Sequence, residues 1–376
     1  MDNNMNYQVA MKNKKPNIIL IVVITAILSS LVGAGSLFLV IRYFPDLAIN
    51  SITNVTKTEK EVTVTDKGIA DAVDKIYDAV VVVRTYKNGQ LFSTGTGFIY
   101  KNQNNNYYII TNYHVIEQGD RVSVVFTDGS EVNVMVENGD KYSDIAVLSY
   151  KSNTELVVAE MGSSVDMRVG DTVFAIGAPL DSAVYSWSVT RGVLSGKDRE
   201  VEVSTTNSNI SDWIMLVLQT DAAINSGNSG GPLCNSNGEV IGVTNMKLIT
   251  DGVEGMGFAI PIEEVANYAD AIINGEEITR PYIGISMTDA NSLYTSRVYG
   301  FEPTDGVLLD NVEANSPASK AGLKKGDIII AINDVEVKNV ASLRYQLYKY
   351  KIGEVIEVKY LRDGHSRTAD LTLISK

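Results

Sequence analysis

One serine of this chain is enclosed by glycines, in the segment Gly227-Asn228-Ser229-Gly230-Gly231-Pro232-Leu233. Glycines let the backbone turn tightly around a hydroxyl and direct several N–H groups toward one point. Acyl transfer by a serine needs this combination, because donors must lie where the oxyanion will form. An ordinary turn can have the same letters, so the segment indicates a nucleophile only if the fold brings a base to Ser229.

The chain offers few candidates for that base. It contains two histidines, His114 and His365, and His114 follows the apolar run 107–113. Asp144 stands directly before a second apolar run, 145–148. The base is therefore His114, unless a lysine or a carboxylate takes its place. The order His, Asp, Ser is that of the chymotrypsin-type triad, in which an imidazole accepts and returns a proton near neutral pH.

Each of the three residues also has an ordinary structural interpretation. Ser229 could shape a turn, His114 could pack in a core, and Asp144 could cap a turn. Their joint occurrence in triad order favours catalysis, with Ser229 as nucleophile, His114 as general base and Asp144 as the group that orients the imidazole.

The motifs Thr111-Asn112-Tyr113-His114-Val115, Ser143-Asp144-Ile145-Ala146-Val147-Leu148 and Gly227-Asn228-Ser229-Gly230-Gly231-Pro232-Leu233 resemble the three triad signatures of the HtrA (Deg) serine proteases. The resemblance extends from Ile69 to the C-terminus. It implies two packed six-stranded β-barrels with the triad in the cleft between them, and a homotrimer. It also implies that the backbone amides of Gly227 and Ser229, with Asn228 between them, form the oxyanion hole.

The same resemblance implies where substrate specificity arises. The substrate pocket is assigned to Ile224, Asn225 and Ser226, together with the segment 245–254. Ile224 would narrow the S1 pocket, so we expect small or medium aliphatic P1 residues. Family members often carry another residue at the position of Ser226, which leaves the resting geometry of the oxyanion hole open.

The pattern of short apolar runs predicts a mainly β fold. Strands are predicted at 80–84, 96–100, 107–111, 122–126, 132–136, 172–176, 215–219 and 240–243, with turn signals between them, as in a barrel or sandwich. Helices are predicted at 68–78 and 261–275, and the protease domain is assigned to 67–275. The polar segment 197–212 is predicted as a loop between two strands.

The region 280–376 resembles a single PDZ domain, an α/β module, of the kind that follows HtrA proteases. Its loop Tyr282-Ile283-Gly284-Ile285 resembles the carboxylate-binding loop, and a helix is predicted at 340–350. Successive amides in such a loop can bind a C-terminal carboxylate while the next strand pairs with the peptide. The alternative is that this loop merely begins the first strand of the domain.

The N-terminal region predicts a membrane anchor. Residues 18–41 form 24 consecutive uncharged positions, and a helix of that length spans a hydrocarbon core of roughly 30 Å. Lysines at 12, 14 and 15 precede this span, which favours a cytoplasmic tail at 1–17, a transmembrane helix at 18–41 in the lipid bilayer, and an external linker at 42–66. A cleaved signal peptide is the alternative interpretation.

The composition limits which other partners, cofactors and covalent links we expect. The net charge of −13 and the lack of a basic stripe argue against a nucleic-acid partner. Cys234 is the one cysteine, so no disulfide can form within the chain, and we expect a buried thiol. No cluster of cysteines and histidines suggests a metal, and no cofactor is expected. His365 is predicted at an exposed hairpin tip.

These observations together predict a cell-membrane, single-pass serine endopeptidase whose protease and PDZ domains lie outside the cytoplasm. It would act without ATP on misfolded or signalling proteins, and its partners would be peptide substrates and free C-termini. The competing hypothesis is a peptide-sensing or holdase protein on the same fold with weak catalysis. A substituted triad would favour that hypothesis, whereas all three positions are intact here.

Overall fold

Helix α1, Ile18–Tyr43, is the first element of the structure. The computed structural model describes residues 18–43, 66–177, 187–205, 211–245 and 255–375. Backbone contacts separate a unit that ends at Thr63 from a second unit, Val64–Lys376. Among the described residues, no helix is both long enough and apolar enough to cross a membrane. The predicted tail 1–17 and most of the linker 42–66 lie outside the described residues.

The first barrel is closed by six antiparallel strands in the order β1-β2-β3-β6-β5-β4. Side chains alternate between the two faces of each strand. Accordingly Val81 and Val83 fill the barrel interior, whereas Val80 points into the core between the barrels. The strands are β1 Val80–Lys87, β2 Gln90–Gln103, β3 Asn106–Asn112, β4 Arg121–Val125, β5 Glu131–Asp140 and β6 Ile145–Lys151.

The second barrel is closed by six strands in the order β10-β11-β12-β9-β8-β7. Val173 and Ala175 point into this barrel, and the intervening Phe174 points into the core between the barrels. The strands are β7 Thr172–Gly177, β8 Ser188–Val203, β9 Trp213–Thr220, β10 Pro232–Asn235, β11 Val240–Thr244 and β12 Gly257–Pro261. The predicted pair of six-stranded barrels is confirmed.

Two amphipathic helices contribute to the core that joins the barrels. Helix α2, Asp66–Tyr77, buries Ile69, Ala72 and Ile76 on one face. A four-residue turn of helix, α3, Tyr113–Ile116, follows β3. Helix α4, Ile262–Ile273, buries residues spaced three or four apart, as one helical face requires. These buried residues are Ile262, Val265, Ala269 and Ile272. Helices were predicted at both places, 68–78 and 261–275, the first of them from this spacing.

The C-terminal region forms a sheet in the order β14-β15-β16-β18-β19, with a separate pair of β13 and β20. Its core contains Ile283, Leu309, Ile329, Leu343 and Val358. The strands are β13 Pro281–Tyr282, β14 Ile285–Asp289, β15 Val307–Val312, β16 Ile328–Ile332, β17 Val335–Glu336, β18 Val355–Arg362, β19 His365–Thr372 and β20 Ile374–Ser375. The helices are α5 Leu293–Tyr299, α6 Pro317–Lys320 and α7 Val340–Leu347.

Helix α7 contacts the second barrel beside β9. Arg344 Nη1 lies 2.5 Å from Asp212 Oδ2, and the rings of Trp213 and Tyr348 are 5.3 Å apart between centroids. Burial alone would raise the pKa of Asp212, but hydrogen bonds from Thr205 and Arg344 outweigh burial and hold that pKa below its usual value. A cavity of about 540 Å³ lies along this contact. The two folded parts therefore pack directly against each other.

Part of the segment predicted as a loop, 197–212, is strand. Strand β8 continues to Val203 and pairs with β9 down to Trp213. Two register shifts, beside Leu194 and between Gly196 and Arg199, allow this long strand to continue. Its polar residues were misleading because most of them are exposed to solvent.

Two smaller expectations are confirmed, and one helix was missed. Cys234 is 0% exposed, and burial raises the pKa of its thiol, which confirms the buried assignment. His365 is exposed directly after the turn residues Asp363 and Gly364, both with positive φ, as predicted for a hairpin tip. Helix α5 was not predicted, because its side chains Leu293 and Tyr294 are exposed and give no apolar stripe.

Candidate active site

His114 and Asp144 form a direct pair at one end of the first barrel. His114 Nδ1 lies 2.6 Å from Asp144 Oδ2, and the His114 backbone N–H donates to Asp144 Oδ1 at 2.9 Å. A carboxylate only accepts hydrogen bonds, so Nδ1 carries the proton and Nε2 is left as an acceptor. Asp144 is 3% exposed, whereas the His114 side chain is 24% exposed. This geometry suits a general base.

The backbone around Asp144 is held in an unusual conformation. Its φ is +54°, in the left-handed region that few residues other than glycine adopt. Its carbonyl oxygen accepts a hydrogen bond from Asn112 Nδ2 at 2.9 Å. One residue earlier, the Ser143 N–H donates to Asp140 Oδ2 at 2.7 Å, and Arg280 Nη2 lies 2.5 Å from that oxygen. These contacts compensate for the strain at Asp144.

Ser229 belongs to a loop of the second barrel that is bonded to the first barrel. The Thr96 N–H donates to the Ser229 carbonyl at 2.9 Å, and Thr96 Oγ1 donates to the Gly227 carbonyl at 2.7 Å. Thr111 Oγ1 in turn donates to the Thr96 carbonyl at 2.8 Å. Strands β2 and β3 thus fix the loop that carries the candidate nucleophile.

Two glycines permit the close approach of these segments. A Cβ at Gly95 would lie within 3.0 Å of the Val115 side chain and 3.0 Å from the Ser229 carbonyl. A Cβ at Gly230 would lie within 3.0 Å of Asn112 N, two residues before His114. The structure therefore brings Ser229 against the segment that carries His114, and it pairs His114 with Asp144.

The structure defines the backbone conformation of Gly227 and Asn228, at the predicted oxyanion hole. Gly227 has φ +99°, which a side chain would disfavour. The Asn228 N–H donates to the Asn225 carbonyl at 3.0 Å, so it is engaged within the loop. This arrangement is compatible with donors at Gly227 and Ser229 on either side of Asn228, and their role in catalysis stays a prediction.

The three predicted pocket residues differ in their surroundings. Asn225 and Ser226 are exposed beside the nucleophile loop. Ile224 is 6% exposed and packs in the interior of the second barrel. A Cβ at Gly257 would lie within 3.0 Å of Ile224 Cγ1. The part of Ile224, Asn225 and Ser226 in substrate selection stays a prediction. The second predicted specificity segment is 245–254, and its residues 246–254 lie outside the described residues.

Sequence reasoning missed two polar residues behind the candidate site. Asn245 Nδ2 donates to Asp144 Oδ2 at 2.8 Å, although Asn245 was grouped with a specificity loop. Thr244 Oγ1 donates to the Asn228 carbonyl at 2.6 Å. Both residues are 0% exposed. The sequence does place these two polar residues directly after the apolar run 240–243. Their hydrogen-bond partners, however, are more than ten positions away, so the contacts could not be read from the sequence.

The predicted carboxylate-binding loop leads into an edge strand. Gly284 has φ +79°, and its carbonyl accepts a hydrogen bond from the Glu313 N–H at 2.9 Å. A hydrogen bond to Glu313, with burial, raises the pKa of Tyr282 to about 12. Strand β14 pairs with β15 on one side, and its end is tied to helix α7 by a bond from the Val340 N–H to Asp289 Oδ1 at 2.7 Å.

Within the described ranges, no group of three or more His, Cys, Asp or Glu side chains is arranged to hold a metal ion. The candidate site contains the paired His114 and Asp144 and, bonded to the same barrel, the loop of Ser229.

Comparisons with known proteins identify two domains in this chain. Residues 95–243 match the trypsin-like peptidase domain, and residues 281–373 match the PDZ domain. The serine protease Do-like HtrA of Bacillus subtilis (strain 168) is 40% identical over 331 residues, covering 82% of this chain and 73% of that protein. HtrB of the same organism is 34% identical over 380 residues, covering 93% of this chain and 82% of that protein.

Solved structures show the same architecture. The serine endoprotease from Yersinia pestis superposes with a TM-score of 0.60 at 28% identity, covering 82% of this chain and 98% of that chain. The HtrA-type protease AlgW, solved with a decapeptide, gives a TM-score of 0.61 at 25% identity, covering 82% of this chain and 98% of that chain. The fold and site thus define a trypsin-like peptidase joined to one PDZ domain. More particularly, the chain belongs to the HtrA family, and it is a serine endopeptidase.

Replacing Gly230 tests whether the close approach of the barrels is required. Gly230→Ala should lower kcat by about 100-fold, because an added Cβ displaces the nucleophile loop from the strands that hold it. Gly129→Ala is the matched control, since Gly129 also has a left-handed φ, +82°, but no atom lies within 4 Å of the added Cβ. Equal peptidase rates for the two variants would contradict the role given to Gly230.

Proposed function

We propose that this endopeptidase is anchored in a membrane, lies outside the cytoplasm and cleaves misfolded or signalling proteins without ATP. In this proposal Ser229 is the nucleophile, His114 the general base and Asp144 the residue that orients His114. The observation that carries the assignment is the hydrogen-bonded pair of His114 Nδ1 and the buried Asp144 Oδ2, 2.6 Å apart, beside the loop of Ser229.

The chemical steps follow from this arrangement. Ser229 Oγ attacks the scissile carbonyl carbon while His114 Nε2 takes its proton, and the carbonyl oxygen becomes an oxyanion. The backbone N–H groups of Gly227 and Ser229 would stabilise that oxyanion. His114 then gives the proton to the leaving amine, which breaks the peptide bond and leaves an acyl group on Ser229. Water attacks the ester with His114 again as base, which releases the acid and restores the serine.

The anchor and the location rest on the N-terminal sequence and on named relatives. Helix α1 contains the uncharged stretch 18–41, and lysines precede it, which favours a cytoplasmic N-terminus. A relative that is 34% identical over 325 residues carries the name probable periplasmic serine endoprotease DegP-like, from Rickettsia prowazekii. The homotrimer implied by the family resemblance stays a prediction, which native mass spectrometry of the purified chain would test.

The PDZ domain would bind free C-termini in a groove between β14 and α7. A peptide paired with the edge strand β14 would gain main-chain hydrogen bonds. Ile285 and Met287 of β14 would supply apolar contacts, since both are only partly buried against the core of this domain. The amides that follow Tyr282 would bind the carboxylate. Affinity of this kind is typically micromolar, about −8 kcal/mol.

A peptide in this groove could influence the protease through helix α7. Arg344 of that helix pairs with Asp212, and Asn339 at its N-cap donates to Glu202 Oε1 at 2.9 Å. Both acidic residues lie in the segment 197–212, which would relay peptide binding to the protease. Binding raises activity only if the peptide prefers the conformation with a formed oxyanion hole.

Ser229→Ala should abolish hydrolysis of casein by the full chain, because the attacking hydroxyl is removed while the loop backbone stays intact. Removal of a triad member costs about three to six orders of magnitude in rate. Ser366→Ala, in an exposed part of β19, is the control and should retain full activity. Residual turnover within about tenfold of the parent enzyme would contradict the nucleophile assignment.

Protease added to intact cells or spheroplasts should cleave the region after residue 43, because the proposed anchor places that region outside. Protection of the region until lysis would contradict the orientation. Release of the whole chain into the medium would instead favour a cleaved signal peptide.

Peptides that end in apolar residues should bind the full chain and raise its peptidase activity, whereas the same peptides amidated at the C-terminus should bind far more weakly. Arg344→Met should keep peptide binding and reduce the activation, because Arg344 lies at the contact with Asp212 rather than in the groove core. Isothermal titration and a peptidase assay measure the two effects. Equal binding of free and amidated peptides would rule out carboxylate recognition.

A further inference from the structure

Helix α5 of the PDZ domain buries polar side chains and exposes apolar ones. Thr295 and Ser296 are 5% and 3% exposed, whereas Leu293, Tyr294 and Val298 are 66%, 79% and 59% exposed. At about 3.6 residues per turn, the three apolar residues lie on one side of the helix. A surface helix ordinarily does the reverse. Adjacent apolar side chains left in water are typical of a binding surface.

This helix lies over the face of the PDZ sheet that is turned away from the domain core. On β15 the two neighbours of Leu308 belong to that core, and Leu308 itself belongs to a separate cluster on the opposite, outer face. Phe301, two residues after α5, packs against this outer cluster. Tyr299, the last residue of α5, donates from its hydroxyl to Asp310 Oδ1 of β15 at 2.6 Å.

Helix α5 also runs back along β14. Its N-cap, Ser292, stands three residues after Asp289, where β14 ends. Its last residue, Tyr299, reaches Asp310, which stands next to the β15 partner of Ser286. The seven residues of the helix span about 10 Å, and the strand from Ser286 to Asp289 spans about the same length. The helix therefore accompanies β14 over most of its course.

A peptide added to β14 would present side chains to both faces of the sheet. Strand β14 is the first in the sheet order, and among the described strands only β15 pairs with it. With its carboxylate at the loop before β14, the peptide would run antiparallel to this strand, and its upstream residues would lie toward Asp289. Alternate side chains point to opposite faces. One set therefore faces α7, and the other set faces the outer side, where α5 lies.

We propose that the exposed side of α5, formed by Leu293, Tyr294 and Val298, is a second binding surface for the peptides that enter the groove of β14 and α7. It would take apolar side chains that point to the outer face, and those just upstream of the paired residues. This inference rests on the proposed peptide groove. Its consequence is that the domain selects C-terminal segments with several apolar residues over polar tails that merely end in one.

The test compares three peptides that share the same apolar C-terminal tripeptide. One is the tripeptide itself, the second is a decapeptide with leucine at the fourth and sixth positions from its C-terminus, and the third has serine at those two positions. Isothermal titration of the full chain should show that the leucine decapeptide binds about 10-fold more tightly than the other two, because its two leucines are removed from water.

Combined replacement of Leu293, Tyr294 and Val298 by serine should abolish this advantage and leave the affinity for the tripeptide unchanged. The unchanged tripeptide affinity also shows that the variant is folded. Val355→Ser is the matched control, since Val355 is 61% exposed on β18, which β15 and β16 separate from β14. It should keep the full advantage of the leucine decapeptide.

Equal binding of the two decapeptides by the parent chain, or an advantage that survives the triple replacement, would overturn the proposal. A triple variant with unchanged peptide affinities but weaker sedimentation with phosphatidylglycerol vesicles would overturn it in favour of a lipid surface. Reduced self-association in light scattering, again with unchanged peptide affinities, would overturn it in favour of a second copy of the chain. If the parent chain binds none of the three peptides, the groove itself fails, which is a different result from equal decapeptide affinities.

Discussion

The buried carboxylate of Asp144 is the group on which the rest of the site depends. Transferring an isolated charge out of water is very costly, so a carboxylate that is 3% exposed must be surrounded by donors. His114 supplies two of them and Asn245 a third. Because these donors come from two barrels, the requirement to solvate one charge also determines how the barrels meet. Catalytic geometry and folding are coupled at this residue.

Small and polar residues are found where the two barrels meet at the candidate site. The barrels are joined elsewhere by apolar packing around Phe98 and Phe174, and hydrophobic attraction is non-directional. At the site, hydrogen bonds from Thr96 and Thr244 to the loop of Ser229 replace that packing. Hydrogen bonds have narrow distance limits, so they define position better than apolar contacts do. The close approach in turn excludes a side chain at Gly230.

Much of this architecture could be predicted from sequence, for a physical reason. A strand can be recognised from its own apolar residues, and the tight turn around Ser229 from its own glycines. Both predictions therefore need only residues that are close together in sequence. Thr96 and Asn245 were missed because their partners lie 131 and 101 residues away. Strand β8 was shortened in the prediction because its polar residues face solvent. Ser292 and Gly300 do cap helix α5, and these caps could have revealed it.

The contact between the protease and the PDZ domain is connected to the loop that precedes Asp144. Arg280 stands one residue before β13 and pairs with Asp140, while its guanidinium lies over the ring of Tyr142, 4.8 Å from the centroid. Burial lowers the pKa of Arg280, but Asp140 outweighs burial and holds that pKa above its usual value. Asp140 also accepts the Ser143 N–H, next to Asp144, so one carboxylate links the start of the PDZ domain to this loop. Asp144 is thus bonded to the second barrel through Asn245, and the residue before it is linked to the start of the PDZ domain through Asp140.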